Sequence, residues 1–413
     1  MKRFIFFLSI CCIFFLSGMQ NADAKSGNGW EKYFGAKATQ EVANDICSLT
    51  DGESGGYVVV GYKQVDPNYR KYGAYILVMD SMGTVKCQLT YRGPNNDQDC
   101  FAYSVARYYD GYDTYFMVTG TIYNNDGGQD IFLVKYKLQY PYTLKKVAEN
   151  TCLGGNDFNT AYKIKKVGYQ NHFVLVGKTD DEKLCVLEVR GQDCYFMDAF
   201  ILDKPDEISY SVGYSMCEIN SHYYVCGQAV MNDGNEQVVW LDLTQNDQWF
   251  TLWMTKYFGG SYSDAAYAIA PGYNNNSMVM VGQYGQSANN SDYWILTVNS
   301  SGIKDPSSSC TWGETNQNNE ALTSVDVKNN GDLVIAGRTL LQTTSTWRYN
   351  AYLGGADSYA HVHWHNYYGG SQDVGNSFVR TTGKVNYIAL ATAAVPGTIG
   401  NGDVYVLRYS IYK

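Results

Sequence analysis

The chain has 413 residues, a net charge of −9 at pH 7, 38 tyrosines and 11 cysteines. This acidic balance argues against nucleic acid as a partner, because binding to phosphates requires clustered lysine and arginine. No segment after residue 24 reaches the roughly 20 apolar residues that a membrane-spanning helix needs, so we expect no transmembrane segment.

The N-terminus has the three parts of an export signal. Met1-Lys2-Arg3 is basic, the run from Phe4 to Leu16 is apolar, and Ala22-Asp23-Ala24 is a small-x-small cleavage site. We therefore predict a signal peptide at residues 1–24 and a single domain at residues 25–413. The mature protein is expected to be exported to the periplasm, the cell surface or the extracellular space. Soluble export is favoured over a lipid anchor, because a bulky Ile10 precedes the first cysteine of the apolar run.

A short sequence motif recurs along the rest of the chain. It begins with aromatic residues followed by a glycine, which we call the glycine stop. A polar turn with an acid comes next, and then an apolar strand that ends in a second glycine, the strand glycine. The glycine stop recurs at Gly35, Gly93, Gly154, Gly259, Gly313 and Gly369. The strand glycine recurs at Gly61, Gly120, Gly177, Gly227, Gly282 and Gly337. The stops lie 54 to 61 residues apart, except for one interval of 105 that holds two periods. A fixed period of this size predicts seven copies of one structural unit.

Each unit has room for four short strands, as in a propeller blade. The strands of the fifth unit are predicted at Ala265 to Ile269, Ser277 to Gly282, Asp292 to Val298 and Ser309 to Trp312. The apolar runs are brief, contain β-branched and aromatic residues, and are separated by Gly, Asn and Asp, which is typical of strands. The predicted fold class is all-β, a seven-bladed β-propeller of four-stranded blades.

The two ends of the chain complement each other. The last unit stops after its third strand, Asp403 to Tyr409, whereas Trp30 to Phe34 forms a fourth strand with no unit of its own. Pairing the two strands would close the ring and remove two exposed sheet edges, which otherwise promote aggregation. We therefore predict that the N-terminal strand closes the ring.

The repeated motif resembles that of a known family. Tyr257-Phe258-Gly259-Gly260-Ser261 with Asp264 and Val281-Gly282, and Tyr367-Tyr368-Gly369-Gly370-Ser371 with Asp373, are similar to the repeat of bacterial secreted β-propeller proteins. The resemblance implies export and a propeller fold, and it assigns no catalytic residue.

Two groups of residues suggest a divalent cation as a cofactor. The first is a set of acids that open the first strands, which could form a carboxylate ring in the channel: Glu41, Asp99, Asp264, Glu320 and Asp373. A structural role is the favoured interpretation, because an acid at a turn accepts backbone hydrogen bonds and so recurs wherever that turn recurs. The second is His361, His363 and His365, whose two-residue spacing places them on one face of a strand, where two imidazoles could chelate a metal ion. A partly exposed polar strand face is the favoured interpretation there.

Two pairs of cysteines flank short turns, namely Cys217 with Cys226 and Cys185 with Cys194. Each pair could face across neighbouring antiparallel strands, which suits a disulfide. Buried free thiols are the other interpretation.

The variable loops carry the candidate binding residues. The connections from second to third strand, and from one unit to the next, open on one side of a propeller, and loops on a rigid scaffold commonly carry recognition. The candidates are Arg70, Tyr72, Tyr123, Asn124, Asp126, Asn232, Asp233, Tyr284 and Asn289. We predict a non-enzymatic binding protein for an extracellular protein or glycan. The alternatives are a propeller enzyme that acts on polysaccharide, such as a glycosidase or lyase, and a structural surface protein.

Overall fold

A computed structural model describes residues 30–34, 40–50, 55–66, 71–124, 127–140, 142–155, 157–168, 171–203, 207–246, 249–274, 276–287, 290–313, 320–342, 347–368, 378–381, 386–394 and 402–410. These residues form 28 strands and one short 3-10 helix at Pro306–Ser308. Antiparallel pairing joins the strands into four-stranded sheets, which surround a central channel. The all-β propeller predicted from the repeat is confirmed.

The strands are labelled in chain order. The first is β1 (Trp30–Phe34). The next eight are β2 (Glu41–Ser48), β3 (Tyr57–Asp66), β4 (Lys71–Met79), β5 (Val85–Tyr91), β6 (Cys100–Tyr109), β7 (Thr114–Tyr123), β8 (Gln129–Gln139) and β9 (Thr143–Asn150). They are followed by β10 (Phe158–Val167), β11 (His172–Thr179), β12 (Leu184–Arg190), β13 (Tyr195–Ile201), β14 (Ile208–Ile219), β15 (His222–Met231), β16 (Glu236–Asn246) and β17 (Trp249–Phe258).

The second half continues with β18 (Ala265–Pro271), β19 (Ser277–Ser287), β20 (Asn290–Asn299), β21 (Cys310–Trp312), β22 (Glu320–Val327), β23 (Leu333–Gln342), β24 (Trp347–Ala356) and β25 (Val362–Tyr368). The last three strands are β26 (Phe378–Thr381), β27 (Asn386–Ala394) and β28 (Gly402–Ser410).

Six sheets are blades of four consecutive strands, and we number them 1 to 6, from β2–β5 to β22–β25. The first strands of successive blades contact one another, so they surround the central channel. Because neighbouring strands are antiparallel, the connections between strands one and two and between strands three and four open on one side, which we call the turn face. The other connections open on the opposite side, the loop face.

One further four-stranded sheet, in the order β1-β28-β27-β26, combines both ends of the chain. Trp30 lies opposite Arg408 and Phe34 lies opposite Val404 in its register. The sequence predicts seven units, but only six of them form a complete blade of their own, because the chain enters the ring inside a fourth strand. The prediction of seven blades is therefore corrected to six blades that each come from one unit. The additional sheet is composite, because its strands come from both ends of the chain.

The hydrophobic core is divided among the interfaces between neighbouring sheets. Blades 1 and 2, for example, share a cluster that contains Val60, Ile76, Phe116 and Phe132. The third strand of each of blades 1 to 5 is buried along most of its described length, as expected for a strand packed on both faces. Burial of this apolar surface on both sides of each blade supplies the main stabilisation of the ring.

The recurring strand glycine has a specific steric cause. In each of blades 1 to 6 the first strand contains one extra residue, a β-bulge, next to the position that faces this glycine. A Cβ atom built on Gly282 would lie 1.8 Å from the carbonyl oxygen of Ala265, and the equivalent distance for Gly227 is 1.9 Å from Val212. The glycine does not end its strand as predicted, because β19 continues to Ser287.

We expect Gly282→Ala to destabilise the protein by about 2 to 3 kcal/mol, because the new methyl group forces the strand away from the bulge. Gly260→Ala is the matched control in the same blade, since its Cβ would meet only the movable hydroxyl of Tyr284 at 3.0 Å. Chemical denaturation of both variants measures the difference. Equal stability of the two variants would contradict the proposed steric role.

Closure of the ring can be tested within β1. Phe34 packs against the cluster that joins blade 1 to the composite sheet, whereas Lys32 on the same strand is exposed. Phe34→Ala should therefore lower the free energy of unfolding by about 2 kcal/mol, and Lys32→Ala should change it little. The two free energies are compared by thermal and urea denaturation. A neutral Phe34→Ala variant would show that β1 does not stabilise the ring.

Candidate binding cavity in the central channel

The bulged residues of the first strands meet in the central channel. Four of them are tyrosines on consecutive blades, namely Tyr103, Tyr162, Tyr214 and Tyr267. Their ring centroids are 5.3, 5.4 and 5.1 Å apart in that order. Such contacts between aromatic rings stabilise beyond the burial of their area. Together these side chains form a tyrosine layer in the channel.

The hydroxyl groups of this layer are neutral. Burial raises the pKa of Tyr103, Tyr162, Tyr214 and Tyr267 above the ordinary value. The Tyr214 hydroxyl donates to Gln228 Oε1 at 3.4 Å, and the Tyr267 hydroxyl donates to Gln283 Oε1 at 3.1 Å. These two bonds attach the layer to the second strands of blades 4 and 5.

A cavity of about 720 Å³ lies in the channel beside this layer. Its lining follows the first strands of blades 1 to 6 from the bulge toward the end of the strand, for example from Asn44 to Ser48 and from Tyr267 to Pro271. The cavity therefore opens toward the turn face. Its volume falls in the range of roughly 300 to 1,000 Å³ that is usual for ligand sites.

A network of polar contacts ties three blades together at this cavity. Asp45 of blade 1 is buried, and its carboxylate accepts the hydroxyl of Ser104 at 2.5 Å and the backbone N–H of Val105 at 3.1 Å, both in blade 2. Lys163 of blade 3 donates to the same carboxylate at 2.8 Å. Asn44 adds a bond to the carbonyl oxygen of Ala102 at 2.7 Å. The acid at this position therefore holds the blades in register around the cavity.

The turn face also carries exposed tyrosines. Tyr112 and Tyr273 lie in the first turns of blades 2 and 5 and are 91% and 65% exposed, and Tyr140 in the last turn of blade 2 is 97% exposed. Tyr109 and Tyr359 are exposed on the same side. Among the described residues of the loop face, Tyr262 at 44% is the exposed large aromatic side chain. The cavity mouth and most of the exposed tyrosines therefore share one face.

The residues that the sequence predicts as a binding surface lie on the other face. Tyr72 and Tyr123 both pack against the ring of Phe101, and Tyr284 packs against Trp294. These side chains belong to the blade packing and do not line the cavity.

The polar members of that predicted surface lie in the loops. Asn124 donates to the carboxylate of Asp130, and Asn232 and Asp233 are exposed in the turn between β15 and β16. Arg70, Asp126 and Asn289 lie outside the described residues. Sequence reasoning missed the tyrosine layer, although a small residue followed by tyrosine recurs at Ala102-Tyr103, Ala161-Tyr162, Gly213-Tyr214 and Ala266-Tyr267.

The three histidines of blade 6 lie on its outer strand and are all exposed. His361 Nδ1 is 3.1 Å and His363 Nε2 is 3.7 Å from the same oxygen of Asp357. His365 instead stacks on Tyr352, with a centroid distance of 5.7 Å. Within the described part of the chain, no group of three or more His, Cys, Asp or Glu side chains is placed to hold a metal ion.

The predicted disulfides are not present, since the nine cysteines of the described residues are free thiols. The bulge at Tyr214 shifts the register, so Cys226 lies opposite Ser215 and Cys217 lies opposite Tyr224. Cys185 lies opposite Gly177 and Ile201, while Cys194 is in the turn that follows β12. Burial raises the pKa of Cys217 and Cys194 to about 12, which makes both thiols poor nucleophiles.

Three of the acids that open the first strands accept hydrogen bonds within the protein, as expected for a structural role. Asp264 accepts the backbone N–H of Gly260 at 2.7 Å and that of Gly285 at 2.9 Å. Asp99 accepts the backbone N–H of Tyr72 at 2.8 Å. Glu320 accepts the Thr339 hydroxyl at 3.2 Å, and Asp373 lies outside the described residues. The cavity lining does not include Glu41, Asp99, Asp264 or Glu320.

Comparison with solved structures supports the fold. The chain shares 12% identity and a TM-score of 0.50 with a chain of the mitotic checkpoint complex, over 92% of this chain and 93% of that one. It shares 10% identity and a TM-score of 0.50 with a protein of unknown function from Dyadobacter fermentans, over 92% and 98%. The β-propeller domain of the trilobed protease from Pyrococcus furiosus has 12% identity and a TM-score of 0.43, over 90% and 99%.

No protein-family model matches the sequence, and no curated relative does. At these identities the two structures with a TM-score of 0.50 show similarity of fold alone. The described residues contain no helix long and apolar enough to cross a membrane.

Asp264 predicts a pH dependence of stability. Burial raises its pKa to about 6, although its two backbone hydrogen bonds act in the opposite direction. This folded value is above the roughly 3.9 of an unfolded aspartate, so the stabilisation by Asp264 is fully present below pH 4 and decreases as pH rises through 6. The stability difference between wild type and Asp264→Ala should therefore be larger at pH 4 than at pH 7.

Urea denaturation of both proteins between pH 4 and pH 7 measures this difference, with Asp233→Ala as an exposed control. Asp264→Ala should be the less stable protein throughout, because Gly260 and Gly285 lose their acceptor. A difference that stays constant over the range would show that the folded pKa of Asp264 is not raised.

Proposed function

We propose that this protein is an exported, non-enzymatic β-propeller that binds a protein or glycan on its turn face. The single observation that supports the proposal is that the channel cavity and the exposed tyrosines occupy the same side of the ring. The basic, apolar and small-residue segments of residues 1–24 support export.

Exposed tyrosines around a cavity suit recognition. A tyrosine offers a large rigid ring and a polar hydroxyl and loses few rotamers when it is bound. Tyr112 and Tyr273 follow the cavity-lining strands β6 and β18 directly, so the turns that hold them extend the walls of the cavity.

The carboxylates at the cavity favour binding over hydrolysis. A glycosidase needs one carboxylic acid and one free carboxylate on either side of the bond to be cleaved. Asp45 is committed to Ser104, Val105 and Lys163, and Glu218 accepts the backbone N–H of Gly168 at 3.0 Å. These contacts give a structural role to two of the three acids that line the cavity, the third being Asp326 of β22.

The proposal predicts that Tyr112→Ala and Tyr273→Ala, together, weaken binding about tenfold or more, since tyrosines dominate many recognition surfaces. The test is an array of immobilised polysaccharides and extracellular proteins probed with the purified mature protein. Tyr262→Ala is the matched control, an exposed tyrosine on the loop face. All three substitutions should leave the thermal midpoint nearly unchanged.

Two results would contradict the proposal. Loss of binding in Tyr262→Ala but not in the double variant would place recognition on the loop face. Release of reducing ends from any polysaccharide on the array, abolished by Glu218→Gln, would favour the glycosidase alternative.

A further inference from the structure

The cavity has a charge balance opposite to that of the whole chain. Its basic lining residues come from blades 2, 3 and 6, and they are Arg107, Lys163, Lys165, Lys166 and Arg338. Its acidic lining residues are Asp45, Glu218 and Asp326. The basic residues outnumber the acidic ones here, while the chain as a whole carries a net charge of −9. A local excess of positive charge in a concave site favours an anionic ligand.

Two of the acids are neutralised or engaged within the structure. Asp45 forms an ion pair with Lys163 at 2.8 Å, so the charges of these two side chains offset each other beside the tyrosine layer. Glu218 faces the end of β10 through its bond to Gly168. Lys165 and Lys166 lie on the same stretch of β10, between the layer and the cavity mouth. Three of the five basic lining residues therefore lie on blade 3, where Glu218 offsets part of their charge.

The remaining lining suits the hydroxyl groups and flat faces of sugar rings. Each of the strands β2, β6, β10, β14, β18 and β22 forms the inner edge of its sheet. Edge strands present backbone N–H and C=O groups in alternation, which can donate to and accept from ligand hydroxyls. The rings of Tyr103 and Tyr162 supply an aromatic surface next to Lys163. Aromatic rings with a polar end pack well against such amphipathic ligands.

From these observations we infer that the cavity binds an acidic oligosaccharide, with a sugar carboxylate beside Lys165 and Lys166 and a sugar ring against Tyr103 and Tyr162. This inference rests on the proposed function, and it narrows the ligand from a protein or glycan to a glycan that bears carboxylates. The cavity volume of about 720 Å³ accommodates a short oligosaccharide.

The test uses isothermal titration calorimetry with three probes. They are tetragalacturonate, the fully methyl-esterified form of the same tetrasaccharide, and tetraglutamate. The ester keeps the shape of the sugar but removes its charge, and the peptide keeps the charge but removes the sugar. Each probe is titrated into the full mature protein, into the double variant Lys165→Gln and Lys166→Gln, and into the control Lys145→Gln, which is exposed on the outer strand of blade 2.

Tetragalacturonate should bind at least about tenfold more tightly than its ester and than tetraglutamate. The double lysine variant should lose about tenfold in affinity for the acid and little for the ester, and higher salt should weaken only the acid. Lys145→Gln should bind like wild type. Equal affinity for acid and ester, or an unaffected lysine variant, would overturn the inference. Tighter binding of tetraglutamate would overturn the saccharide assignment in favour of an acidic peptide.

The array experiment distinguishes failure of this inference from failure of the proposed function. If neutral glycans bind and the Tyr112 and Tyr273 substitutions abolish that binding, while the acid has no advantage, the inference falls and the proposed function stands. If neither the array nor any of the three probes shows binding to the wild-type protein, both are overturned.

Discussion

The tight contact between a second-strand glycine and a first-strand carbonyl group is the interaction on which the other features of this propeller depend. Without a Cβ atom, residues such as Gly61 and Gly282 let the first strand approach closely enough to form a bulge, where any side chain would collide with the carbonyl oxygen at 1.8 Å. The bulge directs one residue per blade into the channel and shifts the register beyond it. The same contact accounts for the tyrosine layer and for the positions of the cavity walls.

The tyrosine layer and the Asp45 network together shape the cavity in the channel. Four rings in contact occupy the middle of the channel, and the carboxylate of Asp45 ties blades 1, 2 and 3 beside them. A polar group buried at this depth is stabilising only when its partners are satisfied. Because Ser104, Val105 and Lys163 all satisfy it, the same network that holds the blades together also shapes the site.

The two faces of the ring differ in a way that loop length does not reveal. Tyrosines near the loop face, such as Tyr123 at the end of β7 and Tyr284 in β19, pack against aromatic residues of their own blades. Tyr112 and Tyr140 on the turn face instead contribute their rings to the surface. Exposed aromatic groups commonly mark recognition surfaces. The exposed tyrosines and the mouth of the cavity therefore both lie on the turn face.

The sequence by itself determined the repeat, the all-β class and the pairing of Trp30–Phe34 with the last strand, because the glycine contact and the apolar strands recur at a fixed spacing. It also predicted that acids such as Asp264 accept backbone hydrogen bonds, since that role depends only on a local turn. The tertiary structure decided the position of the cavity, the separation of Cys217 from Cys226 and the side on which tyrosines are exposed. These features depend on one extra residue per first strand and on contacts between blades, and both arise only when the ring is assembled.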